Sequence, residues 1–228
     1  RRLMIWAAAL SLAWGIVEVG LPARLTSVPA AVTNDRMIPV FKRLNELSKT
    51  DGTFADLRTE TKPSPLVFSP YVNVNVLLPS WASQGTLLDI GGLDLGHVSR
   101  EERREYLYLH LYYSKADAST LREPLNAASK DVALNYYARS AIFGHERILP
   151  GMSLHFEPIT QEEIEEAIRD YQNYIGSFSK EHVLKRPITY AVVRAEERFD
   201  FTNLDRWYER DSGEHVGDYV LYHLKLRD

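Results

Sequence analysis

The sequence contains no cysteine. That excludes a disulfide scaffold, a thiolate zinc site and a cysteine nucleophile, and it leaves the redox compartment open. It also lacks a basic excess: 27 Lys and Arg stand against 31 Asp and Glu, a formal charge of -4. The electrostatic footprint of a nucleic-acid partner is therefore missing. There is no internal repeat, no low-complexity stretch, and no nucleophile elbow, Walker loop or EF-hand loop. What remains is 45% hydrophobic, 25% charged and 11% aromatic. Those are globular proportions, which rule out wholesale disorder and collagen-like classes. A chain of 228 residues suits one domain with a real core, or one domain plus an appendage.

Apolar residues are concentrated at the start. Leu3 to Val17 carry no charge, and the apolar stretch runs on to Ala23 with only Glu18 inside it. About 20 such residues cross ~30 Å of hydrocarbon as a helix. Trp6 and Trp14 lie within, Arg1, Arg2 and Arg24 flank it, and Pro22 suits an exit. The length predicts a transmembrane helix over residues 1–24, meeting the lipid bilayer through residues 3–23. A cleaved signal peptide and a buried soluble helix are the alternatives. The sequence opens on Arg1-Arg2, not Met, so the expectation is a fragment whose first segment is the last span of a longer polytopic protein. The Arg pair favours a cytoplasmic start and an extracytoplasmic location for residues 25–228. Three of the basic residues and one of the acidic ones fall in residues 1–24, so the remainder carries a net charge of -6. Such a surface offers no polybasic patch to anionic lipids.

Residues 25–34 read as a linker, and residues 35–228 as one α/β domain. Met37, Val40, Phe41, Leu44 and Leu47 recur at helical spacing, ending at Asp51-Gly52. A turn at Lys62-Pro63-Ser64-Pro65 precedes a short buried strand over Leu66 to Ser69. Residues 70–86 read as irregular, with a strand possible where Val72, Val74 and Val76 alternate with polar neighbours; Leu87 to Ile90 reads as another strand. Ser99 with Glu102 and Thr160 with Glu163 form capping boxes that open helices. Between them, helices are predicted over Asp117 to Ser129, broken at Pro124, and over Lys130 to Phe143. The helix after Thr160 carries Ile164, Ile168, Tyr171, Ile175 and Phe178 on one face. Ile188 to Val193 is a strand, and Trp207 to Arg210 with Tyr219 to Leu226 a terminal β-hairpin with a long loop, whose core face is Val220, Tyr222, Leu224 and Leu226. The fold expected is α/β: an N-terminal transmembrane helix, then a small domain with a short sheet, a helical insert and that hairpin.

Several patterns suggest chemistry and stop short of it. Leu87-Leu88-Asp89-Ile90-Gly91-Gly92 looks like the first motif of S-adenosylmethionine-dependent methyltransferases, but Leu93 and Leu95 stand where further glycines belong. A plain strand-to-loop turn is the simpler reading. Gly144-His145-Glu146 starts like a zinc-protease helix, but position 149 is Leu149 instead of the second histidine. No pair among the seven histidines has metal-ligand spacing. Neither metal nor cofactor is expected. Glu101, Glu102, Arg103, Arg104 and Glu105 read as a solvated helix face with i,i+3 and i,i+4 pairs. Tyr106, Tyr108, Tyr112 and Tyr113 read as core or interface; a sugar-stacking surface is the alternative.

One order of features is familiar: a span, a linker, Leu66-Val67-Phe68-Ser69, then Leu78-Pro79-Ser80-Trp81-Ala82. A helix ending Tyr106-Leu107-Tyr108-Leu109 follows, then Ile188 to Val193, then Asp218 to Leu224. This resembles the C-terminal extracytoplasmic domain of bacterial polytopic membrane proteins with a GT-C-type glycosyltransferase body. The resemblance implies lipid-linked sugar donors and a catalytic acid far upstream, so no catalytic residue falls in this sequence. The domain would cover the membrane body or position a glycan acceptor; the alternative is a membrane-tethered binding or structural module without enzymatic activity. Asn73, Asn75, Trp81, Gln84 and Asp89 are the candidate substrate-binding residues, because polar groups beside an aromatic in a Pro-rich stretch suit a glycan-facing loop.

Overall fold

The computed structural model describes residues 35–50, 65–88, 98–126, 132–144, 147 and 158–228. The predicted span over 1–24, the linker over 25–34, and the Asp51-Gly52 and Lys62 to Ser64 turns lie outside them. Among the described residues no helix is long and apolar enough to cross a membrane.

The described residues open on helix α1 (Ile38–Thr50), then strand β1 (Leu66–Phe68), helix α2 (Val72–Trp81) and strand β2 (Gly85–Thr86). A helical block follows: α3 (Arg100–Tyr113), a 3-10 turn (Ala118–Leu121) running into α4 (Arg122–Leu125), α5 (Val132–Phe143), α6 (Gln161–Ser177) and α7 (Lys180–Lys185). The last quarter is β3 (Ile188–Arg194), α8 (Thr202–Asp205), β4 (Tyr208–Arg210), β5 (Glu214–Val216) and β6 (Tyr219–Leu226). The strands form one mixed sheet in the order β2-β1-β3-β6-β4, with β5 also paired to β6. β1 is parallel to both β2 and β3; β6 is antiparallel to β3, β4 and β5.

Helices cover both faces. Met37, Val40, Phe41 and Leu44 of the first helical segment pack with Val74 and Leu78 of α2 on Val67, Tyr190, Val192, Tyr219 and Leu221. On the other face, Leu109, Tyr112 and Tyr113 of α3 meet Phe68, Ile188, Ala191 and Leu224. A third cluster lies beyond α3, where Leu107, Tyr108 and Leu111 pack against α5 and α6. One step on β1, from Leu66 to Val67, spans two on β3, from Ile188 to Tyr190. That bulge resets the alternation and puts Ile188 on the same face as Ala191.

Local chemistry sets several element ends where the sequence places them. Ser99 Oγ accepts the Glu102 N–H at 3.2 Å, and a Glu102 carboxylate oxygen accepts the Ser99 N–H at 3.2 Å. Thr160 and Glu163 make the same reciprocal pair. Two readings are corrected. Residues 72–81 are helical, neither irregular nor a strand. β1 and β2 are parallel neighbours, and a parallel neighbour is reached only by a crossover, so the chain between them must rise over the sheet. The valines that alternate on paper bury Val74 and Leu78 at helical spacing. Second, β6 has no single core face: Tyr219 and Leu221 are buried alongside Val220 and Leu224 because α1 and α2 cover the side assigned to solvent. Two smaller differences accompany these. The second strand is Gly85–Thr86, with Leu87 and Leu88 in a turn. Pro124 lies inside α4, which ends at Leu125 with Asn126 as its C-cap.

The long loop of the expected hairpin contains β5 and a bulge. Asp211 Oδ1 accepts the His223 N–H at 3.1 Å and the Gly213 N–H at 3.0 Å, filling the gap in the ladder between β4 and β5. Gly213 has φ 77°, and a Cβ there would lie 2.6 Å from the Tyr222 ring and 2.7 Å from Val220. Gly176, in α6, has nothing within 4 Å of such a carbon. Gly213→Ala is expected to lower stability by about 1–3 kcal/mol, whereas Gly176→Ala raises it by up to about 1 kcal/mol through helix propensity. Denaturant midpoints for the two variants check the contrast.

Candidate functional site

The five residues singled out by sequence do not converge on one site. Asn73 and Trp81 are exposed, Trp81 at 49%. Asn75 is 1% exposed and belongs to the fold: its Nδ2 donates to Ser69 O at 2.8 Å and Tyr71 O at 3.0 Å, and its Oδ1 accepts from Thr86 Oγ1 at 2.6 Å. Its amide thus ties the turn before α2 to β2. Gln84, at 2% exposed, donates from Nε2 to Leu44 O at 2.6 Å and to Ser48 Oγ, fastening α1 to the turn into β2. Both amides face inward, so neither presents itself to a glycan. Asp89 and the glycines after it lie outside the described residues, as do His97, His145 and His155. Asn75→Ala would leave the Ser69 carbonyl and the Thr86 hydroxyl without this partner, while Tyr71 O keeps the Asn75 N–H at 3.3 Å; it is expected to cost about 1–3 kcal/mol, read as a fall in the unfolding midpoint.

Topology offers a second place to look. From β1 the chain reaches β2 on one side through α2, and then β3 on the other side through the helical block. Crevices at the carboxyl ends of strands diverging in this way are favoured ligand sites. Here three side chains at the strand ends engage one another. Tyr71 OH donates to Glu197 Oε2 at 2.8 Å and accepts the Arg194 N–H at 3.1 Å. The Arg194 guanidinium lies 4.6 Å from the Tyr71 ring centroid and pairs with Glu197 at 2.7 Å. Burial pushes the Tyr71 hydroxyl up to about 12, so it stays a donor.

A cleft lies elsewhere, where α3, α6 and α7 meet. Its volume is about 460 Å³. α3 supplies Glu101, Arg104, Glu105 and Tyr108; α6 supplies Asp170, Asn173, Tyr174 and Ser177; α7 supplies His182 and Lys185. The helical period brings each set to one wall. Arg104 stands 3.9 Å from Asp170, and Lys185 3.3 Å from Glu105. Aromatic rings stiffen the wall: Tyr108 and Tyr174 are 5.3 Å apart, and Tyr174 meets the His182 ring edge-on at 5.0 Å. The Ser179 N–H donates to His182 Nδ1 at 3.2 Å, which assigns the proton of the neutral ring to Nε2. Tyr108 OH donates to Ala167 O at 3.4 Å, whereas the Tyr174 hydroxyl is buried without a partner among the described residues. Burial pushes both hydroxyls upward, Tyr108 to about 12. A smaller cavity of about 160 Å³ shares Arg104 and Asp170 and continues along the α3–α6 seam.

Sequence reading took Glu101 to Glu105 as a solvated face and missed the cleft they border. The available signal was the polar spacing of Asp170, Asn173, Tyr174 and Ser177 on the side of α6 that meets α3. The tyrosine run resolves mainly as core, since Tyr108, Tyr112 and Tyr113 are buried. Among the described residues no three His, Asp or Glu side chains are grouped to hold a metal ion. No family model, curated protein or solved structure matches the chain.

One buried histidine lies apart from the cleft. His110 of α3 sits 5.7 Å from the Phe68 ring, its Nδ1 without a partner among the described residues. Burial lowers its pKa to about 4. The folded state therefore resists a proton that the unfolded chain takes up near pH 6.5. Stability is fully present above ~6.5 and falls as pH drops toward 4, by about 3 kcal/mol from this group. Denaturant midpoints of wild type and His110→Phe at pH 7 and pH 4.5 check this: the variant is expected to lose less stability between the two.

Proposed function

We propose that this chain is the extracytoplasmic tail of a polytopic membrane protein of the GT-C glycosyltransferase type. Residues 3–23 anchor it in the bilayer; residues 35–228 cover the membrane body and position an acceptor, with catalysis elsewhere in the protein. The observation that carries this reading is the outer side of α2. Its ten residues contain no charge, and Val76 and Trp81 are 41% and 49% exposed. Most of the other described helices carry surface ion pairs, and α2 carries none. Tryptophan favours the boundary between membrane and water.

The position of α2 agrees with this. It packs on α1, the first described helix after the apolar segment, and Asn45 of α1 donates to Trp81 O at 2.5 Å. The stretch from Arg24 to Asp35 spans at most about 40 Å when extended. An anchored chain therefore starts α1 within about 40 Å of the bilayer.

Because the chain has no cysteine, a single introduced thiol reports its own location. Arg198 is exposed in the turn after β3. In intact cells, Arg198→Cys is expected to react with a membrane-impermeant maleimide, and the protein to stay in the membrane pellet after alkaline carbonate. Labelling only after lysis, or release by carbonate, would overturn the reading.

A further inference from the structure

The cleft between α3, α6 and α7 is not used by the membrane reading, and its chemistry points to a particular kind of ligand. Three carboxylates, Glu101, Glu105 and Asp170, line it together with two cations, Arg104 and Lys185. The carboxylates oppose any anion that enters. The two cations oppose any cation, and each already has a carboxylate beside it. A neutral ligand rich in hydroxyls meets neither penalty. Each hydroxyl donates one hydrogen bond and accepts others, so it can bond a carboxylate and a guanidinium without displacing either from its partner. Asn173 and Ser177 supply groups that both donate and accept, and His182 offers its Nε2–H in the tautomer that Ser179 sets.

The apolar part of the wall fits the same ligand. Tyr174 and the His182 ring, both partly exposed, form an aromatic corner on the cleft, backed by the buried Tyr108. Such rings suit the C–H face of a pyranose, while its rim of hydroxyls faces the charged groups. The volume of about 460 Å³ lies within the roughly 300–1,000 Å³ of small-molecule sites. We propose that this cleft binds a sugar residue of an uncharged saccharide. The site lies on the helical side of the domain, across the sheet from α1 and α2, so a bound saccharide and the apolar face of α2 would not compete.

The test uses the full chain in a detergent without a sugar headgroup, since glycoside detergents would compete. The probes are methyl glucoside, methyl mannoside and N-acetylglucosamine as neutral sugars, glucosamine as a cation and glucose 6-phosphate as an anion. Each is offered at ~10 mM, well above the Kd of a weak single-residue site, and binding is read by saturation-transfer NMR. At least one neutral sugar is expected to bind, and Asn173→Ala and Glu101→Ala each to weaken it tenfold or more at an unchanged unfolding midpoint. Should one variant fail to fold, the other carries the comparison. Binding of only the charged probes, binding of none, or binding that ignores the folded variants would overturn the proposal. Location and sugar binding are measured separately, so a chain that faces the cytoplasm but binds sugar fails the membrane reading alone.

Discussion

β1 is paired in parallel on both of its edges, with β2 and with β3, and a parallel neighbour can be reached only by crossing over the sheet. Most of the architecture follows from that constraint. The first crossover is short and becomes α2 on one face. The second spans residues 87–187 and lays the helical block on the other. With both faces covered, the central strands carry apolar residues on both sides: Val67 and Phe68 are both buried, as are Tyr190, Ala191, Val192 and Val193. The antiparallel strands extend the sheet on the β3 side, where α1 is fastened to β5 by Arg43, whose Nε donates to both Glu214 oxygens at 2.9 Å.

α3 is the pivot of the second crossover. Leu107 to Tyr113 are seven consecutive buried residues, so its C-terminal half is enclosed all round, with the sheet on one side and α5 and α6 on the other. Its N-terminal half emerges from the core, carrying charge on the side that borders the cleft. One helix thus joins a rigid aromatic interior to a polar wall. Phe178 stacks on Tyr112 at 3.7 Å and on His182 at 5.2 Å, which links the core to the histidine on the cleft.

The opposite face is held by amides. Asn75, Gln84, Asn45 and Ser48 bond α1, α2 and the turn into β2, mostly through backbone carbonyls. Buried polar groups without partners are costly, so these bonds fix the position of α2 on the sheet. They also explain why Asn75 and Gln84 turn inward to serve the fold, while Val76 and Trp81 are exposed on the outer side of α2 beside Asn73 and Ser80.

Sequence alone determined the features that depend on near neighbours. The two capping boxes, the apolar faces of α1 and α6, and the β-branched run of β3 were legible because each is decided within about one helical turn or one strand. Parts of the fold that depend on distant partners were not. Val72, Val74 and Val76 suit a strand until the parallel neighbour is known, and Tyr219 and Leu221 look solvent-facing until α1 and α2 cover them. Asn75 and Gln84 look like ligand-binding groups until burial turns them inward. The cleft is the extreme case: its lining runs from Glu101 to Lys185 on three helices, each carrying an ordinary polar face. Local order follows from the chain's own short-range bonds, but a site shared between helices exists only once packing against the sheet has fixed how those helices meet.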